Sequence, residues 1–242
     1  MNTNYVKQIF EKFEPHDLSR AARHDDCCPD QDWGLVRELK VFKKIKNFNK
    51  SDKRRPVNNR GDDEVRLVVV LESPHIDEFF ERAAEKLDSS EFGPAMGFTG
   101  GNLIKCLGQG CLSNRHWFPK GSNIKLIVMN AVQYQCSRGV KTKECRDDVF
   151  CGIWNAAGGS GCGDSGEKDF KERFNKIYAP GDFVWNCCTK GNARVALREL
   201  VRRAIYENGA VKSYYAFHHP SSPAWSKPTL LNPYSSKINQ VS

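Results

Sequence analysis

Four short apolar runs punctuate the chain, and each stops abruptly at polar or turn-forming residues. Arg66-Leu67-Val68-Val69-Val70-Leu71 stops at Glu72-Ser73-Pro74-His75, and Ile124-Lys125-Leu126-Ile127-Val128-Met129 stops at Asn130. Asp182-Phe183-Val184-Trp185 is the third run, and Tyr214-Tyr215-Ala216-Phe217 empties into His218-His219-Pro220-Ser221-Ser222-Pro223. Continuous runs rich in branched residues predict parallel strands buried on both faces. Between the runs the apolar spacing changes to that of helices: Ile76, Phe79, Phe80, Ala83, Ala84 and Leu87, then Phe170, Phe174, Ile177 and Tyr178. Asn192 is a candidate N-cap for a helix reaching Glu207, with Ala196, Leu200, Ala204 and Ile205 facing inward and Gly209 ending it. The stretch 140–166 is polar and glycine-rich and reads as loop. Strands alternating with helices predict an α/β fold of three α/β/α layers around a central four-stranded parallel sheet. Residues 1–60 read as a helical N-terminal extension with a polar linker, and residues 61–242 as the α/β domain.

Composition adds a partner class. A length of 242 residues supports one sizeable core. No apolar run approaches the roughly 18 residues that span a bilayer, and the first residues lack a secretory apolar block, so a cytoplasmic protein without membrane contact is expected. A net charge of +8 suggests a polyanionic partner, nucleic acid first, although basic residues at helical spacing equally make a solvated face. The ten cysteines contain no Cys-x-x-Cys pair. Cys136, Cys145, Cys151 and Cys162 are the best metal candidates, but their spacing is irregular, and neither metal nor other cofactor is expected. Gly161 to Gly166 has the glycine spacing of a phosphate loop without the Lys-Ser/Thr that should follow, which leaves it a plain loop.

Ligands of parallel sheets collect at the carboxyl ends of the strands, where this sequence offers a carboxylate (Glu72), an amide (Asn130) and an imidazole (His219). A histidine held by proline-stiffened backbone can donate to a developing anion, and the neighbouring hydroxyls suit phosphate contacts. The same His-Pro and Ser-Pro pairs also fit an ordinary turn.

Taken in order, these segments resemble the uracil-DNA glycosylase superfamily over roughly residues 65–226. Glu72-Ser73-Pro74-His75 is similar to its first motif, and Gly93-Pro94-Ala95-Met96-Gly97-Phe98-Thr99 to the segment whose aromatic residue stacks on an extruded base. The strand ending at Asn130 is similar to the one whose terminal asparagine reads the base edge. His219-Pro220-Ser221-Ser222-Pro223 is similar to the final His-Pro-Ser-Pro motif, whose histidine assists leaving-group departure. Many members have an aspartate immediately before the first proline; here that place is Ser73 and the carboxylate stands one residue earlier, at Glu72.

The resemblance implies a monofunctional DNA glycosylase acting on duplex or single-stranded DNA; a monomer is expected. It would flip a pyrimidine and hydrolyse its N-glycosidic bond. Uracil in base excision repair is the family's default, while the altered carboxylate and an insertion between the first two motifs make a hypermodified cytosine in antiphage defence the second expectation. Glu72 and His219 are the expected catalytic pair, and Phe98, Asn130, Ser73, Pro74 and His75 the expected base contacts. Gly100, Gly101, Asn102, Ser221, Ser222 and Trp225 are the expected DNA contacts, Trp225 filling the vacated stack or packing under the tail. Two other readings stay open: a non-catalytic DNA-binding module on a degenerate glycosylase fold, and a hydrolase of free nucleosides, which would not need the basic surface.

Overall fold

A computed structural model describes residues 28–35, 55–62, 64–74, 95, 98–107, 123–136, 146–155, 166–192, 196–207 and 209–222. In chain order the elements are β1 (Gln31–Leu35), β2 (Arg55–Pro56), β3 (Val65–Leu71), α1 (Phe98–Cys106), β4 (Ile124–Asn130), α2 (Arg146–Trp154), α3 (Glu167–Ile177), β5 (Phe183–Asn186), α4 (Leu197–Tyr206) and β6 (Ser213–Ala216). The six strands form one sheet in the order β2-β1-β4-β3-β5-β6.

The four apolar runs become β3, β4, β5 and β6, paired in parallel. β3 runs in register with β4 from Val65↔Ile124 to Leu71↔Asn130, and with β5 from Leu67↔Phe183 to Val70↔Asn186. β6 continues the parallel set beyond β5. Two further strands correct the expectation of a purely helical segment before residue 60: β1 lies antiparallel on β4, and β2 antiparallel on β1. β1 escapes periodicity because Gln31-Asp32-Trp33-Gly34-Leu35 has only one large aromatic, Trp33, to bury, and its pairing is interrupted at Gly34, where φ is +80°.

Alternating side chains of β3 divide the core. Val68 and Val70 face a cluster with Phe150, Ile153 and Trp154 of α2, Phe170 and Phe174 of α3, and Leu197 and Val201 of α4. Leu67, Val69 and Leu71 face Leu103 and Ile104 of α1 together with Trp33, Trp185 and Phe217. On the first face Phe150, Trp154, Phe170, Phe174 and Tyr178 make a continuous file with ring centroids 5.3–5.8 Å apart, the spacing favoured by aromatic pairs.

Three local readings need correction. The stretch 140–166 contains α2, whose Val149, Phe150, Ile153 and Trp154 are buried, so it is not loop throughout. Asn192 is exposed and precedes the helix, which begins at Leu197 after Ala196. Leu200 is only partly buried and Ala196 is exposed; Leu197 and Val201 carry the inward face together with Ala204 and Ile205. The apolar stripe at Ile76 to Leu87 lies outside the described residues.

Gly166 shows what one glycine of the rich stretch does. A Cβ there would sit 2.5 Å from the Ile153 carbonyl oxygen and 2.6 Å from that of Trp154, so the start of α3 can approach the end of α2 only without a side chain.

At the amino ends of the strands Asp182, 1% exposed, accepts from Arg66 N (2.8 Å), Ala179 N (2.9 Å) and the Arg60 guanidinium, which also donates to the carbonyls of Glu64 and Ile177. A buried carboxylate is tolerated when it is so fully bonded. This network fixes one end of the sheet.

Candidate active site

The chain leaves β3 for β4 on one side and leaves β5 for β6 on the other, so the connections diverge above the β3–β5 boundary. A crevice outside the carboxyl ends at such a point is where parallel sheets bind ligands. Backbone bonds continue the sheet past its strands there: Ala131 N to Leu71 O (2.7 Å), Val132 N to Glu72 O (3.0 Å), Cys187 N to Val70 O (2.8 Å) and Phe217 N to Asn186 O (2.9 Å). They hold the residues after each strand as firmly as the strands themselves.

Glu72 sits at this point, 5% exposed. Its Oε2 accepts from Thr189 N, just beyond β5, at 3.1 Å, and lies 3.7 Å from Nε2 of His219, beyond β6. Its Oε1 lies 3.5 Å from Nη1 of Arg146, the first residue of α2. Carboxylate and imidazole, 147 positions apart in sequence, thus meet within ion-pair reach but beyond hydrogen-bond length.

The histidine loop fixes the proton on its imidazole. Ser221 N donates to His219 Nδ1 at 3.2 Å and Ser221 Oγ lies 2.7 Å from the same nitrogen, while Ser222 N donates to the His219 carbonyl at 2.8 Å. An Nδ1 that accepts a backbone N–H carries a lone pair, so the neutral ring holds its proton on Nε2, facing Glu72. Ser221, expected as a phosphate contact, is found against the imidazole, which it orients. His218 beside it is half-buried; burial first, then the Arg198 and Lys190 charges, lower its proton affinity below that of an ordinary histidine.

Asn130 ends β4 fully buried, its Nδ2 3.5 Å from the Cys28 thiol and its Oδ1 without a hydrogen-bond partner among the described residues. The loop carrying it is clamped by Arg173 of α3, which donates to the carbonyls of Asn130 (3.2 Å) and Ala131 (3.1 Å), to both oxygens of Asp30 (3.0 and 2.9 Å) and to Asp169 (2.7 Å). Burial pushes the Asp30 carboxyl up, against the pull of that guanidinium.

Of the other expected residues, Gly100, Gly101 and Asn102 lie in the first turns of α1, and Asn102 Nδ2 donates to the Pro220 carbonyl at 2.8 Å, bringing that helix against the histidine loop. Ser73 is half-buried and Pro74 buried, directly after Glu72. Phe98 opens α1; its side chain, His75 and Trp225 lie outside what is described. Arg146, Thr189, Cys28 and Arg173 were not found from sequence. Only the spacing of Val149, Phe150, Ile153 and Trp154, which marks α2, could have pointed toward Arg146.

Cys188 stands near the carboxylate, but burial, then the charge of Glu72, pushes its thiol well above the ordinary range, so it is no thiolate nucleophile at neutral pH. Among the described residues no cluster of three or more His, Cys, Asp or Glu could hold a metal ion, and no helix is long and apolar enough to cross a membrane. Comparisons with protein-family models, with curated proteins and with solved structures found no match to this chain.

Proposed function

We propose that this protein is a DNA glycosylase of the uracil-DNA glycosylase kind, which flips a pyrimidine from DNA and hydrolyses its N-glycosidic bond. The observation that carries the reading is the approach of Glu72 Oε2 to His219 Nε2 at 3.7 Å above the sheet's diverging connections. Four parallel strands with helices on both faces, and an acid, an amide and an imidazole at three strand ends, agree with the resemblance over residues 65–226.

Breaking a base–sugar bond leaves positive charge on the sugar and sends the bonding electron pair to the base. Glu72, held by Thr189 N and Arg146, stabilises the sugar cation and orients the water whose oxygen bonds to it, the water's proton passing to the carboxylate. His219, with Nδ1 occupied by Ser221, donates from Nε2 to the departing base anion. Asn130 Oδ1, buried and without a hydrogen-bond partner among the described residues, would accept from a base N–H once the loops part to admit the base, and the net charge of +8 suits the phosphate backbone.

The test is alkali-developed strand cleavage on labelled DNA carrying uracil, mismatched thymine, or plain or glucosylated 5-hydroxymethylcytosine. Abasic product from one substrate is expected, lost in Glu72→Gln and reduced in His219→Ala by about two to three decades, as for loss of one oxyanion donor. Binding of DNA with no product from any substrate would replace the enzyme by a degenerate binding module. Activity on free nucleosides without steep salt dependence would point to a nucleoside hydrolase.

A further inference from the structure

A carboxylate as buried as Glu72, 5% exposed, needs a countercharge. Two described side chains lie within ion-pair distance of it: Arg146 on Oε1 at 3.5 Å and His219 on Oε2 at 3.7 Å. His219 serves as counter-ion only as an imidazolium, with protons on both nitrogens. Its Nδ1, however, accepts the Ser221 N–H at 3.2 Å, and a proton there would oppose that N–H even with Ser221 Oγ 2.7 Å away to accept it. The role falls to the arginine.

We infer that Arg146 is a positioning residue acting through Glu72: it offsets the carboxylate's charge from the side away from the histidine, so that His219 stays neutral and keeps its Nε2 proton for the leaving base. The inference rests on the reading given under the proposed function. Arg146 is itself fixed by its neighbour on α2, with Nε 2.9 Å and Nη2 2.8 Å from Oδ1 of Asp147, which leaves Nη1 to turn toward Glu72. Without Arg146 the Glu72 charge would draw a second proton onto His219, converting it into the cation that gives up the bond from Ser221 N–H.

The other charged or titratable groups around the pair do not replace this one. Asp147 on α2 shares the Arg146 cation and would strengthen any field that holds a proton on His219. Cys188, beyond β5, stays a thiol because burial and Glu72 raise it. Arg198 of α4, whose Nε donates to the Cys188 carbonyl at 2.8 Å, and Lys190 act at His218, the neighbour of His219 in the loop.

The deciding experiment is a pH titration of the imidazole nitrogen shifts by NMR, on the full chain without DNA, with the His219 signals assigned by their loss in His219→Asn. Arg146→Gln should move the His219 midpoint upward by about one pH unit, the low end of what a unit charge at such range does, and Glu72→Gln should move it downward. Arg146→Lys, which keeps the charge, should stay near the unaltered protein. If Arg146→Gln does not fold, Arg146→Met supplies the neutral side chain. A midpoint unmoved or lowered in the neutral variant overturns the proposal. A helix that merely loosened would bring the imidazole toward its water value in Arg146→Lys as well, and that outcome also overturns it. Where base excision is observed, its acid limb should move upward with the midpoint. If no base is excised from any substrate the glycosylase reading fails, while the imidazole titration still decides for or against Arg146.

Discussion

Asn102 on α1 donates from Nδ2 to the carbonyl of Pro220 at 2.8 Å, joining a helix on one face of the sheet to the loop that follows its last strand. The bond holds the residue immediately after His219. Asn102→Ala should lower stability by about 1 kcal/mol, the usual net worth of one hydrogen bond. It should also speed amide exchange at Ser221 and Ser222, whose N–H groups close the turn. Hydrogen exchange at those two amides is the measurement; unchanged protection would mean the turn holds itself.

Gly166 admits no side chain where α3 meets the carbonyls of Ile153 and Trp154. Gly166→Ala should destabilise the fold by about 1–3 kcal/mol, as overpacking does, because the obstructing atoms are backbone. Urea unfolding of the two proteins would read it, and a change below about 0.5 kcal/mol would show that α2 and α3 can part cheaply.

Asp182 gathers two backbone amides and the Arg60 guanidinium at the far end of the sheet. Asp182→Ala should cost about 3 kcal/mol, the lower end for a broken buried pair, since Arg60 remains partly in water at 27% exposure. The DNA binding proposed above should persist in the folded fraction, because this network and the Glu72 site lie at opposite strand ends. Loss of binding in proportion to loss of structure alone is the outcome to check.

His218 gives the fold an acid-side weakness. Its proton affinity is lowered in the folded protein by burial, then by Arg198 and Lys190, so the unfolded chain binds the proton more readily. Stability from this group is present above the ordinary histidine value and lost as pH falls through the lowered one. His218→Gln should therefore flatten the stability curve just below pH ~6.5, as thermal unfolding across that window would show. An equally steep decline in the variant would move the cause elsewhere.

The parallel strands were legible in the sequence because burial on both faces leaves a run such as Leu67-Val68-Val69-Val70-Leu71 almost nothing polar to blur it. Their polar endings place Glu72, Asn130 and His219 at one end of the sheet from sequence alone. β1 was not legible, since a five-residue strand with one aromatic and an irregular glycine has no period to detect. α2 was hidden by the glycine-rich composition around it, and Arg146 with it. Arg173 is beyond any local signal: its partners Asp30 and Asn130 stand 143 and 43 positions away, and only folding brings them to one guanidinium. Ser221 was found, but its bonds to the imidazole depend on the turn's three-dimensional closure.

That guanidinium ties the beginning of the described chain to the amide at the end of β4. Asp30 leads into β1, Cys28 touches Asn130, and Cys28 N donates to the Gln133 carbonyl at 2.9 Å. Removing the residues before 61 would thus not trim an appendage. It would take away two strands, bare the hydrogen-bonding edge of β4 to other chains, and leave Arg173 with one carboxylate fewer to hold it over the loop after β4. A shortened protein would carry every motif that resembles a glycosylase and still lack part of the wall those motifs lean on.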